Sequence, residues 1–244
     1  MPRILVSPDC TRLDHSVAEQ VRLDLRYLYV LEEAGAAPII ASPISDLEHL
    51  AHLCDGWLIT GGDDLPEELL GEPLHPEARV AHPLRIATER VLYRLFIETD
   101  KPILGICFGC QFLNVIEGGG LIQHIADVTK SLDHRETSHR VMIEPGTRLS
   151  AILGGEAVVA SSHHQAIRSL APGLQPSLRT GSSRRSRWTA SRSAWACNGI
   201  LSECEPRLQR APCLPRSPRL LLGMERALSK DERHIVIHGL GGHL

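Results

Sequence analysis

The stretch PILGICFGCQFLNVIEGGGLIQ, residues 102–123, decides the fold. Residues 102–106 form a short apolar run of strand type, and residues 109–116 carry a helical pattern. Between them stands Gly105-Ile106-Cys107-Phe108-Gly109, the G-x-nucleophile-x-G pattern of a strand-to-helix elbow. Such a turn packs backbone on backbone, so glycine is required two residues to either side of its tip. The residue at the tip is presented at the C-terminal edge of the sheet, where open α/β sheets place their ligands. Cys107 also opens a helix, where unpaired N–H groups and the helix dipole favour a thiolate. A buried Cys in a packed corner is the plainer alternative for a lone cysteine. The two flanking glycines favour a nucleophile.

Working outward, strand and helix patterns alternate. Residues 3–7 (RILVS) read as a first strand. Val17, Val21, Leu25 and Leu28 recur at helical spacing and predict a helix ending near Gly35. Residues 38–41 (PIIA) read as a strand, and residues 46–53 as a short helix capped by Ser45 or Asp46. Residues 56–60 (GWLIT) read as a strand stopped by Gly61-Gly62. A proline-containing loop follows, and Val91, Leu92, Leu95 and Phe96 give the next helix an apolar face. This βαβα order predicts an α/β fold with a flavodoxin-like, doubly wound, mainly parallel sheet. Residues 139–144 and 157–160 are later strand candidates.

Composition narrows the function classes. The chain has 244 residues, enough for one large domain or a domain with a tail. A formal net charge of −3 does not argue for nucleic acid or an acidic membrane as partner. No apolar run is long enough to span a bilayer, and MPRILVSPDC lacks the pattern of a signal peptide. The seven cysteines are irregularly spaced and suggest no disulfide framework. A cytoplasmic protein with reduced thiols is expected. Beyond about Gly173 the character changes: residues 174–220 are rich in Arg and Ser and broken by Pro206, Pro212, Pro215 and Pro218. A solvated tail is the expectation there, ahead of a nucleic-acid-binding segment.

Three further segments bear on chemistry. Cys107-Phe108-Gly109-Cys110 is a C-x-x-C, which could be a redox pair or half a zinc site. Cys197, Cys204 and Cys213 supply no second C-x-x-C, so zinc is disfavoured and the redox alternative stays open. Thr60-Gly61-Gly62-Asp63 ends a strand, and its glycines can turn N–H groups into a cleft as an oxyanion hole requires. Ser161-Ser162-His163-His164-Gln165 follows a strand candidate, without a carboxylate cluster to suggest a metal.

In combination these segments resemble the class I glutamine amidotransferases, and most closely the γ-glutamyl-γ-aminobutyrate hydrolase family. That family carries a TGG turn, an elbow of the form GIC-x-G-x-Q-x-x-NV-x-x-GG, an S-x-HHQA segment and a following LAPGL. The matching positions here are Thr60 to Gly62, Gly105 to Gly119, Ser161 to Ala166 and Leu170 to Leu174. The resemblance implies that Cys107 attacks a small γ-glutamyl amide to form a thioester, without cofactor or metal. It implies that the N–H groups of Gly62 and Phe108 stabilise the oxyanion, and that Gln111, Ser162 and His163 line the glutamyl pocket. A homodimer is left open. Phe108 stands where the hydrolases commonly have Arg, as in many amidotransferase domains.

One element of the resemblance is missing. The family's general base and its orienting carboxylate lie in a GVQWHPE segment, and this chain has none. Residues 194–203 read AWACNGILSE. With the codons shifted by two nucleotides, the same bases permit LGVQWHPE. Upstream, Trp188-Thr189 forces an Asp codon in that frame. We infer a reading-frame change between about Gly173 and Trp188. The expected division is therefore an amidotransferase-like domain over residues 1–174 and an aberrant, poorly ordered tail over residues 175–244. Cys107 is retained and its base and orienter are lost, so impaired hydrolysis is expected. A catalytically dead binding or regulatory domain is the other outcome.

Overall fold

The computed structural model describes residues 1–12, 19–128, 137–161, 163–174, 176–180 and 235–238. Chain order begins β1 (Arg3–Ser7), β2 (Asp9–Arg12), β3 (Glu19–Arg22), α1 (Leu25–Glu33), β4 (Ala37–Ile40), α2 (Leu47–Leu53) and β5 (Gly56–Ile59). It continues α3 (Glu67–Leu70), α4 (Pro83–Glu98), β6 (Ile103–Ile106), α5 (Phe108–Ile116), β7 (Gly120–Ile122) and α6 (Ile125–Val128). Last come β8 (Thr137–Ile143), α7 (Arg148–Leu153), β9 (Glu156–Ser161), β10 (Ala166–Ser169), β11 (Leu178–Thr180) and β12 (Ile235–His238).

The central sheet has the order β12-β6-β5-β1-β4, and every pairing within it is parallel. Counted along the chain this is the flavodoxin-like 2-1-3-4-5 order. Period-two alternation divides the core between the sheet's faces. Leu5, Trp57, Ile59 and Ile103 point to one face and pack with Leu92, Phe96, Phe108 and Phe112 from α4 and α5. Ile4, Val6, Leu58 and Leu104 point to the other and pack with Leu31 of α1 and its neighbours Tyr27 and Leu28. Strands β8, β9 and β11 form a separate antiparallel sheet, and β7 pairs with β10. The late strand candidates therefore exist but lie outside the parallel sheet.

One expectation needs correction. The first helix does not begin before Val21. Residues 19–22 pair antiparallel with residues 9–12 as a hairpin. Helix α1 starts at Leu25, where the Asp24 side chain accepts from the Arg26 N–H. The helical spacing that ran through Val21 and Leu25 misled because both residues are exposed. Val17 lies outside the described residues. Two described segments lie beyond the expected domain end at residue 174. Residues 178–180 pair with β8, and residues 235–238 form the edge strand beside β6. The rest of the supposed tail, including the Arg-rich run and residues 194–203, lies outside the described residues.

The helix predicted over residues 46–53 is α2, and its cap is Asp46, whose side chain accepts from the His49 N–H at 2.9 Å. Among the described residues, no helix is long and apolar enough to cross a membrane.

Candidate active site

Cys107 stands between β6 and α5 with φ 51° and ψ −104°, outside the conformations that non-glycine residues favour. The flanking glycines make this turn sterically feasible. A Cβ on Gly105 would lie 2.5 Å from the carbonyl carbon and oxygen of Gly109. A Cβ on Gly109 would lie 2.6 Å from the Ile59 Cβ and carbonyl oxygen. Strand, helix and neighbouring strand thus meet at backbone distance, and the nucleophile candidate is lifted to the sheet's C-terminal edge.

The TGG turn lies at the same edge because β5 pairs directly with β6. A Cβ on Gly61 would come 3.6 Å from the Cys107 Cβ. The Gly61 N–H donates to the Tyr27 hydroxyl at 3.0 Å, and the Gly61 carbonyl accepts from Arg85 Nη1 at 3.0 Å. Both polar groups of Gly61 are thereby engaged within the protein. The Phe108 N–H donates to the Cys107 sulfur.

The HHQ segment joins the same cluster. His164 Nε2 lies 3.0 Å from both Asp64 carboxylate oxygens, and Asp64 follows the TGG turn by two residues. His163 is buried, with Nδ1 2.8 Å from the Gln165 carbonyl. Gln111 is buried one turn along α5, its N–H donating to the Cys107 carbonyl at 3.0 Å. Ser162 lies outside the described residues. Asn114 accounts for the NV-x-x-GG part of the motif: its side chain donates to the carbonyls of Gly120 and Ser169 and accepts from the Ala171 N–H. That side chain occupies the space a Cβ on Gly119 would need.

The expected thiolate is not what these surroundings produce. Burial pushes the Cys107 thiol up to about 11. The Phe108 N–H and Arg85 oppose that shift, and Asp64 adds to it. Desolvation outweighs the helix N-terminus here because the sulfur is enclosed although the residue keeps some exposed surface. At pH 7 about one thiol in 10⁴ would be ionised, so the site needs a base. Cys110 is fully buried and its thiol is raised well above the ordinary range by burial, then by Cys107. A redox C-x-x-C needs an acidified thiol, and burial raises both thiols of this pair. Among the described residues, no group of three or more His, Cys, Asp or Glu side chains could hold a metal.

The residue missed by sequence reasoning is Arg85, which is 1% exposed. Its Nε lies 3.3 Å from Glu89 Oε1, and Nη1 lies 3.1 Å from Asp9 Oδ1. Glu89 is itself buried, and its carboxyl is pushed up to about 7 by burial against the opposing charge of Arg85. A signal existed. The buried stripe of α4 that holds Leu92 and Phe96 runs back through Glu89 to Arg85, so an ion pair sits at core positions.

This convergence of elbow, TGG turn and HHQ segment is matched by sequence. Residues 7–180 match the family model described as Peptidase C26, which is class I glutamine amidotransferase-like. The chain belongs to the Peptidase C26 family. It is 40% identical over 157 residues to Rv2859c of Mycobacterium tuberculosis, named only provisionally as a glutamine amidotransferase; the match covers 61% of this chain and 51% of that protein. It is 32% identical over 160 residues to Protein NtpR of Enterococcus hirae, covering 61% and 66%. It is 30% identical over 177 residues to the γ-glutamyl-γ-aminobutyrate hydrolase PuuD of Escherichia coli, covering 65% and 68%. The chain thus spans about half to two thirds of the length of these relatives. A structure from Thermoplasma acidophilum, described as a candidate GMP synthase component, shares the fold with TM-score 0.50. Its identity is 19%, over 74% of this chain and 73% of that one.

Relative thiol reactivity checks the site. Cys10 and Cys54 are buried in the core and raised by that burial. Under mild alkylation Cys107 is expected to label faster than Cys10 or Cys54, because it alone of the three keeps some exposed surface. Because its thiol titrates near 11, its rate should rise about tenfold per pH unit from pH 7 to 10. Mass-spectrometric mapping in which Cys107 labels no faster than Cys10 and Cys54 would remove it as nucleophile.

Proposed function

We propose that this site is built for γ-glutamyl amide hydrolysis, with Cys107 as nucleophile. The N–H groups of Gly62 and Phe108 would receive the oxyanion, and Gln111, Ser162 and His163 would line the glutamyl pocket. The observation that carries the proposal is the Cys107 elbow with the TGG turn packed against it. Attack by sulfur on the γ-carbonyl would form a C–S bond and a tetrahedral oxyanion. Collapse would release the amine, and water would then cleave the thioester. Such a sequence needs a group that removes the thiol proton and then protonates the leaving amine. The GVQWHPE segment that supplies it in the family is not in this sequence, so the chain as written is proposed to be impaired. The substrate would be a small γ-glutamyl amide, and the protein would act in the cytoplasm without nucleic acid, membrane or cofactor.

A glutamine-like chloroketone carrying its carbonyl at the γ position tests the site without requiring turnover. It should alkylate Cys107 stoichiometrically, with protection by a γ-glutamyl amide. Labelling that spreads over Cys10 and Cys54, or that a γ-glutamyl amide leaves unchanged, would refute the assignment. A binding or regulatory domain is the second reading, favoured by a thiol raised to about 11 in a sequence without the family's GVQWHPE segment. For that reading, ligand binding should persist in Cys107→Ser, measured by calorimetry, with no amine release from either protein.

A further inference from the structure

The TGG turn and the elbow come from different strands, yet an oxyanion hole works only if donors from both are aimed at one point. We propose that Arg85, resting on the functional reading above, is the positioning residue that holds the two oxyanion donors in register.

Its guanidinium is engaged around its whole edge. Nη1 donates to the Gly61 carbonyl at 3.0 Å and Nη2 to the Thr60 carbonyl at 2.6 Å. Nη2 also reaches the Thr60 hydroxyl at 3.3 Å. The Gly61 carbonyl and the Gly62 N–H belong to one planar trans peptide unit, so they point in opposite directions. Fixing that carbonyl on Arg85 fixes the Gly62 N–H pointing away from it. A Cβ at Gly62 would collide with Nη1, so the turn residue is glycine because the guanidinium lies directly behind it.

The flat face of the same group lies 3.9 Å from the centroid of the Phe108 ring. Phe108 carries the second donor, and its ring leaves the backbone at the first turn of α5. A cation over that ring resists its rotation and with it any movement of the elbow. Asp9 and Glu89 balance the buried charge. A lysine would keep the positive charge, but it has neither the planar fork for two carbonyls nor the face for the ring. The sequence therefore keeps a buried charge where a leucine would pack, at a position from which one side chain reaches both the TGG turn and the Phe108 ring.

The test compares two alkylating probes on the full chain. The γ-chloroketone adds through its carbonyl, so its rate depends on the oxyanion donors before chloride leaves and the thioether forms. Iodoacetamide displaces iodide directly and develops no oxyanion. In Arg85→Lys and in Phe108→Leu, the chloroketone rate at Cys107 should fall about 10- to 100-fold while the iodoacetamide rate stays within about twofold. Arg85→Gly should recover part of the chloroketone rate when guanidinium is added at millimolar concentration. Equal losses with both probes, or loss of the fold in every variant, would assign Arg85 to the core alone and overturn the proposal. A wild-type preference for the chloroketone that survives unchanged in Arg85→Lys would overturn it while leaving the functional reading intact. A wild-type chain with no such preference would remove both.

Discussion

Expressed side by side, this chain and a frame-restored version should differ in amine release from a γ-glutamyl amide by about 10³-fold or more. The restored version should be the faster. The missing base is the reason. The Cys107 thiol is raised to about 11, so an unassisted nucleophile is almost wholly protonated at neutral pH. Members of a catalytic unit lose most of their effect when one is removed. The frame-restored segment would supply a His and a Glu together. One competitor within the chain must be tested. Strand β12 pairs with β6 so that His238 is in register with Ile106, the residue preceding the nucleophile. Edge coverage beside β6 therefore exists without the restored segment. A His238→Ala variant of the chain as written should change turnover by less than about twofold if the base is truly absent. Comparable turnover by the two proteins, abolished by His238→Ala, would show that this chain has acquired its base from β12 and that the frame change did little harm.

Much of the sheet was legible because β1, β5 and β6 are buried on both faces and the edge strand β4 is half-buried. RILVS, PIIA, GWLIT and PILGI each read as a short apolar run, and each is a parallel strand. The elbow was legible for a different reason: glycines at positions 105 and 109 are forced by backbone contact, so they mark geometry directly. The β2–β3 hairpin was not legible. Its residues 19–22 are exposed, so no burial pattern distinguishes it from the start of a helix. The thiol's acidity was misjudged because a helix N-terminus is visible in sequence, whereas enclosure of the sulfur arises only from packing. Arg85 was overlooked because charged residues on a helix are ordinarily read as its solvated face. Only the register with Leu92 and Phe96 shows that this one points inward. The Asp64–His164 contact was likewise invisible, since its partners are separated by 100 residues.

Gly105→Ala should be the most destabilising small substitution in the domain, and its cost should exceed that of an ordinary overpacked core site. The added methyl would sit 2.5 Å from the Gly109 carbonyl group and 2.7 Å from the Cys110 nitrogen. These are backbone atoms of the first turn of α5, so no side chain can rotate away to relieve the clash. The helix must move instead. Phe108, Phe112 and Leu113 on that helix are fully buried in the main core, so displacement disturbs packing well beyond the turn. Overpacking of a core typically costs about 1–3 kcal/mol, and an immovable neighbour places this case at about 3 kcal/mol or more. For a domain of this size that corresponds to a midpoint lowered by roughly 10 °C. Gly155→Ala is the matched control, because a Cβ there meets nothing within 4 Å. It should shift the midpoint by no more than about 2 °C. Thermal unfolding followed by circular dichroism reads both. If Gly105→Ala melts with Gly155→Ala, the elbow is looser than its contacts require, and the steric basis for placing Cys107 at a nucleophile turn fails.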